Sequence, residues 1–206
     1  MPLLPKLPGA ISPLVERPKV KRKPVDWATD DYLDLLLPHC GPRLAAIVQF
    51  MTETAVRVGE AIRLLPDDFT KTRGWPHVGK TKSGEPRLVP LSADTYAAII
   101  AIMPAEPFER VFGYRSRWSV NNALKRAAKR AKLKYLSPHK IGRHAFAARM
   151  LSQGYNLKTV KEAGGWASLS VVNDNYGHLE QSHAHEAMLN AAQKRAKSVQ
   201  RKKKEA

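Results

Sequence analysis

Residues 67–92, "DDFTKTRGWPHVGKTKSGEPRLVPLS", interrupt a chain that otherwise carries apolar residues three and four apart. Gly74, Gly79, Gly84 and Pro86 punctuate short β-branched pieces here, a pattern that suits brief antiparallel strands and a tight turn near "SGEP" rather than a helix. On the N-terminal side, "DWATDDYLDLLLPHC" (26–40) and "PRLAAIVQFMTETA" (42–55) predict two helices, and "RVGEAIRLL" (57–65) a short third that stops before Pro66. Helical spacing resumes in "ADTYAAIIAIM" (93–103), "SRWSVNNALKRAAKRAKL" (116–133) and "KIGRHAFAARMLSQG" (140–154), the last closed by a glycine stop. "NLKTVKEAGG" (156–165), "SLSVVNDNYG" (168–177) and "EQSHAHEAMLNAAQKRAK" (180–197) also read as helices. The expected fold class is therefore α+β, mainly α-helical with a small antiparallel β-sheet.

With 206 residues, 43% of them apolar, the chain can fill one core without staples. A single cysteine, Cys40, excludes an internal disulfide framework and fits a reducing compartment. The most apolar stretch, "YAAIIAIM" (96–103), is far too short to span a bilayer. Prolines at 2, 5, 8, 13 and 18 break any signal-like apolar run, so residues 1–26 read as an extended arm.

Charge points to the partner. Lys and Arg number 35 against 18 Asp and Glu, a formal +17, and the cations gather in "KVKRK" (19–23), "KRAAKRAKLK" (125–134) and "KRAKSVQRKKK" (194–204). No strongly apolar face accompanies these blocks, so a nucleic acid is favoured over an anionic membrane, with binding that weakens steeply with salt. One apparent motif misleads: "GWPHVGKT" (74–81) satisfies the GxxxxGK[ST] pattern of a phosphate-binding loop. Such a loop follows a buried strand and opens a helix, whereas here "DDFTKTR" precedes, "KSGEPRLVPL" follows, and Pro76 removes an amide that would cradle phosphate.

Breaking a DNA phosphodiester without a metal requires cations on the non-bridging oxygens, an in-line nucleophile and an acid for the departing 5′ oxygen. Residues able to do this fall in four segments: "TAVRVGEAIRLLPDDF" (54–69), "TKSGEPRLVPLS" (81–92), "PHKIGRHAFAARML" (138–151) and "AGGWASLSVVNDNYGHL" (163–179). In this order they resemble the tyrosine recombinase, or phage integrase, family over about residues 27–195. Arg57, Glu60, Leu64 and Leu65 match its first box; Lys82, five residues before Arg87 and "VPL", matches its hairpin lysine; Arg143 and His144 match the Arg-His pair of the third; Trp166, Tyr176 and His178 match the fourth.

The resemblance implies the family's fold and a metal-free, cofactor-free transesterification on double-stranded DNA. Arg57 and Arg143 would clamp the scissile phosphate, their planar forks suiting paired oxygens. Lys82, on a mobile hairpin, would protonate the leaving oxygen, with Lys80 as its competitor. Tyr176, its phenol eased toward phenolate by surrounding cations, would attack phosphorus and form a 3′-phosphotyrosyl bond, so that rejoining needs no ATP. Trp166 would donate its indole N–H to phosphate or buttress the tyrosine segment, and Glu60 would orient Arg57.

The third box departs from the family pattern. Its histidine normally precedes the arginine by three, but His139 precedes Arg143 by four and Lys140 occupies the usual offset. His139, in the "SPH" turn, is preferred as proton shuttle and Lys140 remains the alternative. His178, His183 and His185 lack acidic or cysteine partners at ligand spacing, so no metal site is expected.

Lys80, Arg87, Lys125, Lys129, Arg130 and Lys132 are the expected DNA contacts, with "NNALKRAAKRAK" nearest the duplex. The division expected is an arm at 1–26, a catalytic domain at 27–178, and a C-terminal helix and basic tail at 179–206. That last helix would either dock on a neighbouring protomer, in assemblies up to a tetramer, or cap its own chain. Family members commonly carry a preceding helical DNA-binding domain, and with only about 26 residues ahead of the first helix, weaker and less selective DNA binding is expected. The setting implied is cytoplasmic and nucleoid-associated, in a bacterium or phage. A type IB topoisomerase and an inert DNA-binding module are the alternatives.

Overall fold

A computed structural model describes residues 26–70, 76–78, 87–179 and 188. Helix α1, Asp30–Leu36, starts where the Thr29 hydroxyl accepts the Tyr32 amide at 3.2 Å, and runs into a 3-10 turn at Leu37–His39. Helix α2, Pro42–Thr54, opens on a proline whose missing N–H is no loss in a first turn. It forms the central rod: Ala46, Ile47, Val48, Phe50 and Met51 are all buried. Helices α3, Val58–Ala61, and α4, Asp67–Thr70, follow as single turns.

The expected strands appear as β1, His77–Val78, antiparallel to β2, Arg87–Leu88, with His77 opposite Leu88 and Val78 opposite Arg87. The turn between them lies outside the described residues. β1 places an antiparallel strand at His77–Val78, inside the "GWPHVGKT" segment. Two readings are corrected. "DDFT", taken as the start of the strand region, is helix α4, because the Asp68 carboxylate accepts the Leu65 amide at 2.9 Å and turns the chain so that Phe69 is buried, its ring 6.3 Å from Phe50. "RVGEAIRLL" yields only the four helical residues of α3.

Helix α5, Ala93–Ile100, is capped by Ser92. In α6, Arg117–Arg130, Val120, Ala123, Leu124, Ala127 and Ala128 are buried, while Lys125, Arg126, Lys129 and Arg130 are exposed. The helix ends in a Schellman motif: the Leu133 amide bonds the Ala128 carbonyl at 2.9 Å and the Lys132 amide that of Lys129 at 3.2 Å, with Lys132 left-handed at φ 56°.

The next helix begins at residue 138 and passes through a π turn, Lys140–His144, before continuing as α7, Ala145–Ser152. A π turn closes i→i+5 and so holds one residue more than an α turn. This turn is pressed on α2: a side chain at Gly142 would put its Cβ 3.0 Å from the Met51 Cβ, so any larger residue would have to push the two apart by a few tenths of an ångström. Helix α8, Leu157–Gly164, is capped by Asn156, and α9 spans 169–179.

The core falls into two clusters. The larger surrounds α2; the smaller joins α7, α8 and α9 through Ala147, Leu151, Leu157, Val160, Val172 and Tyr176. The π turn bridges them: its Ile141 is buried in the larger cluster, where its carbonyl accepts from the Thr52 hydroxyl at 3.4 Å, and the turn continues into α7, which carries Ala147 and Leu151 of the smaller.

Candidate active site at the seam

The chain around Ala55 shapes the first wall. Ala55 caps α2 in the left-handed region, φ 55°, a conformation that costs a non-glycine residue about 1–2 kcal/mol. Its carbonyl accepts from Arg143 Nη1 at 2.9 Å. The Gly164 carbonyl, at the end of α8, accepts from the same nitrogen at 3.0 Å. Two helix C-termini, each the negative end of its dipole, thus grip one guanidinium. Arg143 is 2% exposed, its Cζ stands 4.0 Å from the centre of the Trp166 ring, and its Nη2 is buried without a partner. Burial, then the nearby Arg57 and Arg87, lower its pKa to about 10, so it remains charged at neutral pH.

Arg57 immediately precedes α3. Glu60 holds it twice, accepting the backbone amide at 3.0 Å and the guanidinium Nη1 at 2.9 Å, while the arginine side chain is 38% exposed. The second contact leaves the other side of the guanidinium facing a cleft. That cleft, about 620 Å³, is lined by Arg57, Glu60, Arg63, Arg117, His139 and Arg143, with small residues from α3 beside them. Four arginines and a histidine around one hollow suit a phosphodiester.

The one-residue excess between His139 and Arg143 is taken up by the π turn, so both line the same cleft. Lys140 points elsewhere: its ammonium lies 3.7 Å from the Asp26 carboxylate. Of the two candidates for the histidine position, His139 is the one at the cleft. Partial desolvation, then Arg143 and Arg57, lower the His139 pKa and favour its neutral form.

"AGGW" has a steric explanation. A Cβ on Gly164 would come within 1.7 Å of the Trp166 ring, so the indole folds back on α8 only over glycine. Gly165 caps α8 at φ 64°. Trp166 in turn stands edge-on to Tyr176, centroids 6.4 Å apart.

Tyr176 is 1% exposed, and its hydroxyl is hydrogen-bonded to His144 Nδ1. The His144 ring is 5.5 Å from the Tyr176 ring and 4.6 Å from that of His139, centroid to centroid. Here the expectation of a cation-eased phenol is corrected for the unliganded chain: burial raises the Tyr176 pKa and outweighs the opposing pull of Arg143. The hydroxyl is neutral and sits one imidazole behind the cleft.

Arg87, expected at DNA, turns inward. It donates to the Ala163 carbonyl at 2.8 Å and the Thr54 carbonyl at 3.3 Å, tying β2 to the ends of α8 and α2. Arg130 donates to the His39 carbonyl at 2.6 Å, and Lys125 stands 5.5 Å over the Tyr135 ring. Lys129 and Lys132 are exposed. Lys80 and Lys82 lie outside the described residues, as do His183 and His185. His178 is exposed, and among the described residues no cluster of His, Cys, Asp and Glu could hold a metal ion. Arg63 and Arg117 escaped the sequence reading because neither falls at a box position; the signal for Arg117 was its place at the start of the basic helix.

A family model described as the phage integrase family matches residues 27–183. The chain belongs to the phage integrase family. The integrase of Salmonella phage P22 is 25% identical over 190 residues, covering 84% of this chain and 48% of the phage protein. This integrase-family chain thus spans about half the length of that relative. Among solved structures, a XerA recombinase superposes with a TM-score of 0.65 at 20% identity, covering 88% of this chain and 69% of that one. The catalytic domain of bacteriophage HP1 integrase gives 0.61 at 24% identity, covering 80% of this chain and 94% of that domain. These likenesses show the integrase fold. No described helix is long and apolar enough to cross a membrane.

Proposed function

We propose that this chain is the strand-cleaving and rejoining part of a site-specific DNA recombinase that works by transesterification without metal or cofactor. Tyr176 attacks a DNA phosphate and displaces the 5′ oxygen, leaving DNA joined to the protein through a 3′-phosphotyrosyl bond; attack by another 5′ hydroxyl reverses the step. Arg57 and Arg143 hold the non-bridging oxygens, Glu60 orients Arg57, and Trp166 holds Arg143 and the Tyr176 segment. His139 is the proton shuttle at the cleft and Lys82 the acid for the leaving oxygen. Lys125, Lys129 and Lys132 bind the duplex backbone, and the region after residue 178 mediates assembly on DNA, up to a tetramer.

The supporting observation is the cleft shared by Arg57, His139 and Arg143, with the Trp166 ring over Arg143 and the Tyr176 hydroxyl one ring behind. The test is a nicked duplex whose cleavage releases a short fragment and traps the adduct, in EDTA and without ATP. A covalent protein–DNA band should form and vanish in Tyr176→Phe. No band with duplex binding retained would refute the reading in favour of an inert binding module, and relaxation of supercoils without partner sites would favour a topoisomerase.

A further inference from the structure

A tyrosine that bonds to phosphorus must lose its phenolic proton during attack, because its own acidity is far too weak to ionise it beforehand. Tyr176 is an extreme case, since burial pushes its pKa up further. The acid for the leaving oxygen cannot do this job, because it gives up a proton in the same step. The group in contact with the Tyr176 hydroxyl is His144 Nδ1. We propose that His144 is the base that takes the Tyr176 proton as the tyrosine attacks. This rests on the reading of Tyr176 as nucleophile.

Three features of the geometry carry the assignment. The contact is with Nδ1, the ring nitrogen that offers a lone pair to the phenol when the neutral ring carries its hydrogen on Nε2. The His144 ring packs edge-on against both Tyr176 and His139, and His139 lines the cleft, so the acceptor of the hydroxyl's bond is in direct contact with the cleft wall. The backbone holding His144 is the last residue of the π turn, locked through Gly142 against α2, and its neighbour Arg143 is fixed by two carbonyls.

The step balances. The Tyr176 O–H bond breaks to Nδ1 as the oxygen–phosphorus bond forms, and the phosphorus–O5′ bond breaks as that oxygen takes a proton from its acid. In the reverse step His144 returns the proton to the departing tyrosine. Electrostatics make this basicity dependent on substrate. In the unliganded chain the His144 pKa is lowered to about 4 by burial, then by its neighbours His139, Lys140 and Arg143. A phosphate seated against Arg143 and His139 offsets two of those causes and stabilises the imidazolium. Without DNA the proton stays on the phenol.

The test measures single-turnover adduct formation by the whole chain on the nicked duplex, comparing wild type with His144→Asn. Asparagine can accept the hydrogen bond but cannot take the proton. The expected cleavage rate falls about 10²- to 10⁴-fold, with duplex affinity unchanged. The defect should persist on DNA whose scissile 5′ oxygen is replaced by sulfur, which departs without protonation. It should shrink when Tyr176 is replaced by a fluorinated tyrosine of lower pKa. Cleavage by His144→Asn at the wild-type rate would overturn the proposal, as would rescue by the sulfur substrate, which would put His144 on the leaving-group side. A defect indifferent to fluorination would make the residue merely structural. If His144→Asn fails to bind duplex, His144→Gln, which fills more of the ring's volume, is read the same way. Absence of an adduct with wild type sinks the nucleophile reading itself, whereas an adduct undiminished in His144→Asn sinks this inference alone.

Discussion

Replacing Tyr176 with alanine should cost far more in stability than removing its hydroxyl, because the residue is part of the core. The ring is 1% exposed and joins Ala147, Leu151, Leu157, Val160 and Val172 in the smaller cluster, where it spans α7, α8 and α9. Deleting a buried aromatic side chain from a packed core costs about 3–5 kcal/mol through lost transfer energy and the cavity left behind. Tyr176→Phe keeps the ring and loses one hydrogen bond to the half-buried His144, for about 0.5–1.5 kcal/mol. With a urea slope of about 3 kcal/mol/M, the alanine variant's midpoint should fall by roughly 1–1.7 M and the phenylalanine variant's by less than about 0.5 M. Equilibrium urea unfolding followed by circular dichroism gives both numbers. If the two variants unfold within about 0.2 M of each other, the ring does not hold the cluster together, and the picture of a nucleophile stored in the core is wrong.

Lys132 sits left-handed in the Schellman motif, so Lys132→Gly should raise stability by up to about 1 kcal/mol in the same urea measurement. Gly164→Ala must push the Trp166 ring away from Arg143; thermal unfolding should show a loss of about 1–3 kcal/mol and the adduct assay a larger loss of cleavage than of duplex binding. Arg117→Ala removes a cleft cation that no box predicts, and the slope of log affinity against log salt should become shallower by about 0.9 if it holds one phosphate. The folded His144 pKa of about 4 lies below its ordinary 6.5, so the unfolded chain binds more protons between those values; stability should therefore fall as pH drops from 6.5 toward 4, and His144→Asn should flatten that part of the profile.

Much of the fold was legible because apolar residues recur three and four apart and Pro66 and Gly154 mark helix stops; the caps became visible only in the structure. Thr29, Ser92, Ser116 and Asn156 are caps at the positions where helices begin, and the interruption at 67–92 contains both strands. Less visible were features decided by tertiary contact. α4 depends on one Asp68 hydrogen bond and on Phe69 finding Phe50. Arg87 reads as a surface cation, yet the space over Gly165 draws it inward. For the site, residue types and order indicated Arg57, His139, Arg143, Trp166 and Tyr176, while the ionisation of Tyr176 did not follow from them. A count of nearby cations says nothing about how completely the hydroxyl is removed from water, and that removal dominates.

The π turn at Lys140–His144 bears on how such chains diverge. A helix that swells locally to house a supernumerary residue turns an insertion between two cleft-lining side chains into a backbone ripple, leaving both on the wall of one hollow. Spacing along the primary sequence is then a poorer signature of kinship than shared orientation in space, and a lineage can gain or shed a residue there without surrendering its chemistry.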